Sequence, residues 1–358
     1  GILFLISAFQ TLLFVLVGNY ILEIKGMLFI HWAVLFTTSC FANLLGLNIS
    51  SAFNSAITIY ILIPILLIPQ LILSGVVVKF DKLNPIIGNT ETVPVVGDMM
   101  ASRWAFEAAM VAQFKENKFE KKFYMYDKHM AESDYKKIYY LPALESQLDF
   151  VNIHYTSKEE GIRKQVSDNL ALLRNEINSE LDEVGRENFT EVERLYLDQY
   201  DSSLYPITKK FLETLGKYYV NRYNAADKKR DAIIRNATKT AEGEKEFEKF
   251  KETYQNEAIA ELVKNTTEQH RIVRSGNRLV QKIFPIYKDP DPAHLVDFNA
   301  QFYMPSKHFL NQNIDTLQFN LGVIWSMTIL LSIALYYEIL RKIVDGLGNI
   351  SNPLPKRM

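Results

Sequence analysis

The feature that most constrains this chain is a stretch of 53 residues, from Gly26 to Val78, without a single Asp, Glu, Lys or Arg. Residues 1–22 and 316–337 are charge-free as well. A helix needs about 20 consecutive apolar residues to cross a hydrocarbon core of roughly 30 Å. The sequence therefore predicts a protein that crosses a membrane, even though its overall 48% hydrophobic and 23% charged residues resemble the composition of soluble proteins.

These stretches predict four transmembrane helices. The longest stretch accommodates two of them, and the polar segment 48–55 suits the turn between them. The predicted spans are residues 2–22, 27–47, 56–78 and 318–340. Pro64 and Pro69 fall inside the third span, where a membrane helix tolerates proline and is often kinked by it.

The short flanks predict the orientation, because cytoplasmic flanks of membrane helices are enriched in Lys and Arg. Four crossings place both ends of the chain on one side. The C-terminal tail, residues 341–358, carries four basic residues, whereas the opposite short loop carries only Lys25. The tail is therefore predicted to be cytoplasmic, and the long segment that begins at Lys79 is predicted to lie outside.

The outer segment is predicted to be mainly helical. Residues 79–114 form a re-entrant or interfacial segment, residues 115–294 a helical extracytoplasmic domain, and residues 295–317 a return segment. The clearest helix signal is an apolar stripe at helical spacing, formed by Ile162, Val166, Leu170, Leu173, Ile177 and Leu181. Further helices are predicted near 191–223, 227–263 and 266–283. The fold class is all-α, a polytopic helical membrane domain with a large helical extracytoplasmic insertion.

The sequence offers little for catalysis. It contains no His-Glu-x-x-His and no Gly-x-Ser-x-Gly motif, and its histidines are scattered. Cys40 is the single cysteine, which excludes a multi-cysteine metal site. A Gly-x-x-x-x-Gly-Lys-[Ser/Thr] loop, which would cradle ATP phosphates, is also missing. We expect no catalytic residues, metal site or cofactor in this chain, and its net charge of -1 argues against a nucleic-acid partner.

The segment Ser102-Arg-Trp-Ala-Phe-Glu-Ala-Ala-Met110 is short and amphipathic. Trp104 and Phe106 are expected to anchor it at the membrane interface. Arg103 is costly at the bilayer centre, so it belongs near the headgroups or in a protein-lined pocket. The simpler alternative is an interfacial helix with no role beyond anchoring.

Several segments together resemble the second half of the membrane domain of G-subfamily ABC exporters. They are a span that ends in Leu73-Ser-Gly75, the segment 102–110, and the return segments 298–307 and 319–327, which are similar to bacterial fused ATPase–permeases. Ala105 stands where that family usually has glycine, and Trp104 where it has tyrosine. The resemblance covers roughly 1–110 and 295–358, and the region 115–290 is an insertion.

The resemblance implies a set of roles. The four spans would be helices three to six of a six-helix half, and two halves would pair as a homodimer around the translocation path. ATP and Mg would bind a nucleotide-binding domain upstream of Gly1, in a chain that is truncated here. The implied site residues are a substrate cavity at Leu67, Ile68 and Leu71, an outer plug at Val76 and Val77, and a re-entrant segment with Arg103, Trp104, Phe106 and Glu107.

The leading hypothesis is the permease part of an ATP-driven exporter that moves an amphipathic or lipid-like substrate by alternating access. Its partners would be membrane lipid, a second transporter half, an ATPase domain and an extracytoplasmic protein. Its location would be the bacterial inner membrane, with the insertion in the periplasm. The alternative is a membrane-anchored sensor or scaffold whose outer domain binds a partner protein. A tethered enzyme and a proton-coupled transporter are less supported, because catalytic spacings and intramembrane carboxylates are missing.

Overall fold

The computed structural model describes residues 1–53, 55–80, 83, 91–292 and 294–351, with side chains up to residue 346. The chain is 71% helical with almost no sheet, which confirms the predicted all-α class. The helices are α1 (Ile2–Ile21), α2 (Leu28–Ala52), α3 (Ala56–Ile72), α4 (Val95–Asp98), α5 (Ala101–Lys115), α6 (Glu120–Tyr135), α7 (Leu141–His154), α8 (Glu160–Val184), α9 (Leu204–Ala237), α10 (Ala241–Tyr254), α11 (Glu257–Lys264), α12 (Thr316–Tyr336) and α13 (Ile339–Ser351). The strands are β1 (Ile272–Ser275), β2 (Arg278–Gln281), β3 (Ser306–Phe309) and β4 (Gln312–Asp315).

The chain forms two compact units. Unit 1 consists of Gly1–Lys118, Glu252–Ile259 and Asp289–Met358, and unit 2 of Phe119–Lys251 and Ala260–Lys288. Unit 1 therefore contains every apolar helix, together with α5 and the hairpin β3–β4. Unit 2 contains the helices α6 to α9 and the hairpin β1–β2.

Within the described residues, three helices of unit 1 are long and apolar enough to cross a membrane, namely α1, α2 and α12. The helix α3 is equally apolar but only 17 residues long. It ends at Ile72, six residues before the predicted end of the third span. The chain turns there through Gly75, whose φ of 82° lies in a region that other residues rarely adopt.

Two other helices end at residues that differ from the approximate span ends predicted above. The helix α2 continues to Ala52 through the polar residues that were expected to turn, because Asn48 finds acceptors in the helix bundle. Its amide donates to the carbonyls of Leu44 and Leu331. The last span ends at Tyr336 instead of residue 340, and the positive φ of Glu338 separates it from α13 within the predicted tail.

Polar contacts fasten the first two helices of unit 1 to each other. The Trp32 indole donates to the Ala8 carbonyl at 3.0 Å, and the Ser7 hydroxyl accepts from Ser39 and Asn43. Such bonds stabilise helix pairs in a medium that offers no water as an alternative partner. By contrast, α3 has no buried residue along its whole length.

The core of unit 2 is built around α8. Five residues of the predicted stripe are buried and the sixth, Ile162, is partly buried, which confirms that interpretation. They pack with apolar residues of α7 and α9. The predicted helix bounds after α8 are wrong: residues 204–237 form one helix, and residues 191–194 form a short 3-10 turn.

The helix predicted near 266–283 is also wrong, because this segment forms the antiparallel hairpin β1–β2, with Ile272 opposite Gln281. A two-residue loop with glycine, Gly276-Asn277, favours a hairpin over a helix. The hairpin β3–β4 turns through Leu310 and Asn311, both at positive φ, as a tight hairpin loop requires. Residues 306–315 of the return segment therefore form a β-hairpin.

Candidate functional site

A cluster of buried charges lies where α5 packs against α12 in unit 1. At its centre is Glu107, which is fully buried. One carboxylate oxygen of Glu107 lies 2.7 Å from Lys307 Nζ and also accepts the backbone N–H of Tyr303 at 3.0 Å. The other oxygen accepts the Asn320 amide at 2.9 Å and lies 3.3 Å from Arg103 Nη1. The carboxylate thus joins α5, α12 and the return segment.

Arg103 lies in a protein-lined pocket, which was one of its two predicted locations. Its side chain is 2% exposed, Nη2 lies 3.3 Å from Asp98 Oδ1, and the guanidinium stacks 3.7 Å from the centre of the Trp104 ring. Trp104 itself is buried and donates its indole N–H to the Asp98 carbonyl at 2.7 Å. The prediction that Trp104 anchors the segment at the membrane interface is therefore wrong, because both its face and its polar edge have partners inside the protein.

The charges of this cluster balance, with Arg103 and Lys307 against Asp98 and Glu107. Burial disfavours the charged form of Glu107, but the positive charges of Lys307 and Arg103 outweigh it and hold the pKa of this carboxyl below its usual range. Burial dominates at Asp98 and raises the pKa of its carboxyl despite the nearby cations. Glu107 is therefore ionised at neutral pH and serves as the anion that the two cations share.

Sequence reasoning identified Arg103, Trp104, Phe106 and Glu107 but missed Asp98, Lys307 and Asn320. Lys307 follows Glu107 by 200 positions, so no local spacing pattern could have paired them. The one available signal was a lysine in a return segment that leads directly into an apolar helix. Phe106 is partly buried and faces the rings of Phe302 and Tyr303.

The predicted cavity residues lie on α3. Leu67, Ile68 and Leu71 are each more than half exposed, and their spacing places Ile68 and Leu71 on one helix face. Val76 and Val77 follow in the turn after α3 and are 57% and 67% exposed. The five residues are therefore exposed apolar side chains at the C-terminal end of α3 and in the turn after it, and none of them belongs to the cluster of charges.

A hydrogen-bonded contact links that end of α3 to α5. The Ser102 hydroxyl donates to the Gln70 carbonyl at 2.5 Å, and the Ser102 backbone N–H donates to the Gln70 side chain at 3.2 Å. Gln70 lies one position before Leu71. The N-terminal end of α5, in the predicted re-entrant segment, thus lies next to the predicted cavity helix α3 and is hydrogen-bonded to it.

The described residues contain no group of His, Cys, Asp and Glu side chains that could hold a metal ion. The fully buried carboxylate of Glu107 and the partly buried carboxylate of Asp98 both have cationic partners in this chain. The arrangement is that of a neutral ionic network, which binds helices to a hairpin.

Comparison with known protein families gives a match to the first part of the chain. Residues 2–114 match the family model described as ABC-2 type transporter, a region that contains α1 to α3 and all but the last residue of α5. No curated protein and no solved structure matches the chain. Together with the apolar helices, the match indicates a membrane protein and supports the permease part of an ABC transporter.

Proposed function

We propose that this chain is the permease part of an ATP-driven ABC exporter that moves an amphipathic or lipid-like substrate by alternating access. The observation that carries the proposal is the match of residues 2–114 to the ABC-2 type transporter family. The matched region includes the apolar surface of α3 and the segment of α5 fastened to it.

The nature of the substrate is inferred from α3. Its exposed face, including Leu67, Ile68 and Leu71, is apolar and lacks charged residues from end to end. A path for an inorganic ion usually contains ionisable side chains inside the membrane. An uncharged, apolar face instead suits a molecule with a large hydrocarbon part.

The exposure of α3 also supports a second transporter half. A helix with no buried residue in the single chain leaves its apolar surface for lipid or another subunit. We propose that a second copy covers part of it, so that two α3 helices border the path. ATP hydrolysis would occur on a nucleotide-binding domain, since permeases of this family generally work with an ATPase partner.

The proposal is tested by purifying the tagged chain from its native membrane in mild detergent, with its bound subunits, and reconstituting it in lipid nanodiscs. The expected result is vanadate-sensitive ATP hydrolysis that amphipathic compounds stimulate. Leu71→Ser is expected to raise the half-maximal concentration of a stimulating compound. Leu5→Ser on α1 is the matched control, because Leu5 is as apolar and 74% exposed but lies outside the proposed cavity. No ATPase in the purified complex would contradict the proposal.

The second candidate function is a membrane-anchored sensor or scaffold. It is favoured by unit 2, a compact helical body with its own apolar core, whose residues lie in the sequence between α3 and α12. In that case the purified complex would contain a protein bound to unit 2 and no ATPase. Mass spectrometry of the same purified complex distinguishes the two functions.

A further inference from the structure

The turn after α3, residues 73–77, rests on two aromatic rings of unit 1. A Cβ atom added to Gly75 would lie 2.7 Å from the Phe302 ring and 2.9 Å from the Phe80 ring. The two rings meet edge to face with centroids 5.1 Å apart. Ser74 and Gly75 are buried, whereas the next two residues, Val76 and Val77, are exposed. The rings therefore pack against the buried residues of the turn.

Phe302 is held in place by unusual backbone geometry. Tyr303 has a φ of 70°, which is strained for a residue with a large side chain. Its N–H donates to the buried Glu107 carboxylate, and its ring lies 4.2 Å from the Phe302 ring. Such a conformation persists only where the surroundings determine it strongly. Here the hydrogen bond from the Tyr303 N–H to the ionic network of Glu107 and Lys307 holds the backbone in this conformation.

We propose that Phe302 is a positioning residue of the transport path. Its ring, presented by the strained Tyr303 backbone, fixes the turn after α3 and thereby sets where Val76 and Val77 project. The return segment thus controls the end of a helix that lies more than 220 positions earlier in the sequence. This inference rests on the proposed function, since Val76 and Val77 border a path only in a transporter.

The contact has a clear physical requirement. Glycine lets the backbone of the turn come within van der Waals distance of an aromatic face, and any larger residue would push the two apart. Removing the ring leaves a gap that the turn can move into, because residues in a closely packed interior shift when a neighbouring side chain is lost. Leucine at position 302 fills part of the gap and should restore part of the support.

The test measures how fast a thiol reagent labels a cysteine at position 77. Cys40, the only native cysteine, is buried and is first replaced by alanine in the full chain. In the Val77→Cys protein, Phe302→Ala is expected to change the labelling rate by about tenfold, and Phe302→Leu by less. Phe298→Ala is the matched control, because the Phe298 ring packs on Trp104 and Phe319, whereas the rings nearest to Gly75 are those of Phe302 and Phe80.

A second reporter cysteine at the buried position Val34 on α2 detects general loosening of the protein, because it can be labelled only when the packing around it opens. Equal labelling rates at position 77 with and without the Phe302 ring would overturn the proposal. An equal rise at both reporters, or the same effect from Phe298→Ala, would overturn it too. A change confined to position 77, with a shifted half-maximal concentration for substrate-stimulated ATP hydrolysis, supports it. Labelling needs neither ATP nor substrate, so it can be measured whether or not the protein is a transporter. If the proposed function is wrong, no compound will stimulate ATP hydrolysis, but the labelling rates at position 77 with and without the Phe302 ring can still be compared.

Discussion

Glu107 on α5 and Lys307 on β3 form an ion pair with 2.7 Å between oxygen and nitrogen, and neither side chain reaches the surface. Two isolated charges could not be buried in this way, because the free-energy cost of removing them from water would be too large. The pair is tolerable because Arg103, Asn320 and the Tyr303 N–H supply the remaining partners of the carboxylate. It therefore links the segment after the insertion to the segment before it.

Removing one partner of this pair should be severely destabilising. Lys307→Met leaves a buried carboxylate without its closest cation, and breaking a buried pair in this way costs about 3–5 kcal/mol. Thermal unfolding of the purified protein in detergent measures the effect. Lys115→Met is the control, because its partner Asp315 is partly exposed and such pairs contribute about 0–1 kcal/mol. Equal losses in the two variants would contradict a special role of the buried pair.

The double variant Glu107→Leu/Lys307→Met should lose less stability than the sum of its two single variants. The reason is that removing both partners also removes the cost of burying an unpaired charge. The same unfolding measurements close this double-mutant cycle. Additive losses would show that the two side chains do not interact.

The ionic network should make the protein sensitive to acid. The pKa of Glu107 is lower in the folded protein than its unfolded value of about 4.3. The stabilisation is therefore fully present above the unfolded pKa and is lost as the pH falls through the folded pKa. Unfolding midpoints between pH 7 and pH 3 should fall in the parent protein and fall less in Glu107→Gln. Parallel curves would contradict this linkage.

Two glycines at opposite ends of α8 should respond oppositely to alanine. Gly161 lies in the first turn with open space around it, so Gly161→Ala should stabilise unit 2 by up to about 1 kcal/mol. Gly185 ends the helix at a φ of 97°, so Gly185→Ala should destabilise it by about 1–3 kcal/mol. Unfolding midpoints of the two variants give the signs, and a stabilising Gly185→Ala would contradict the assigned backbone conformation.

The orientation predicted from the sequence places unit 2 and the C-terminal tail on opposite sides of the membrane. In a Cys40→Ala background, Asp168→Cys on α8 should react with a membrane-impermeant thiol reagent in intact cells. Gly346→Cys on α13 should react only after the membrane is permeabilised. Both positions are exposed on the protein surface, so access depends on the side of the membrane. The reverse pattern would show that the tail is outside and that unit 2 faces the cytoplasm.

The buried stripe of α8 shows how far a local pattern determines structure. Val166, Leu170 and Leu173 repeat at helical spacing, and the helix forms and buries them as predicted. The end of the second span was missed for the opposite reason. Asn48 is polar and favours a turn by itself, but it stays helical because its side-chain amide donates a hydrogen bond to a carbonyl of α12, 283 positions away in the chain.

The sequence by itself determined the class of this protein. Long charge-free stretches can form few structures other than membrane helices, and a sustained apolar repeat at helical spacing can be buried on one face only in a helix. It also pointed to Arg103 and Glu107, since charged residues beside apolar spans need partners. Only the tertiary structure decided what those partners are. Lys307, Asn320 and the Tyr303 backbone meet Glu107 from positions about 200 residues away, and a contact between distant segments depends on the packing of whole helices rather than on any local spacing.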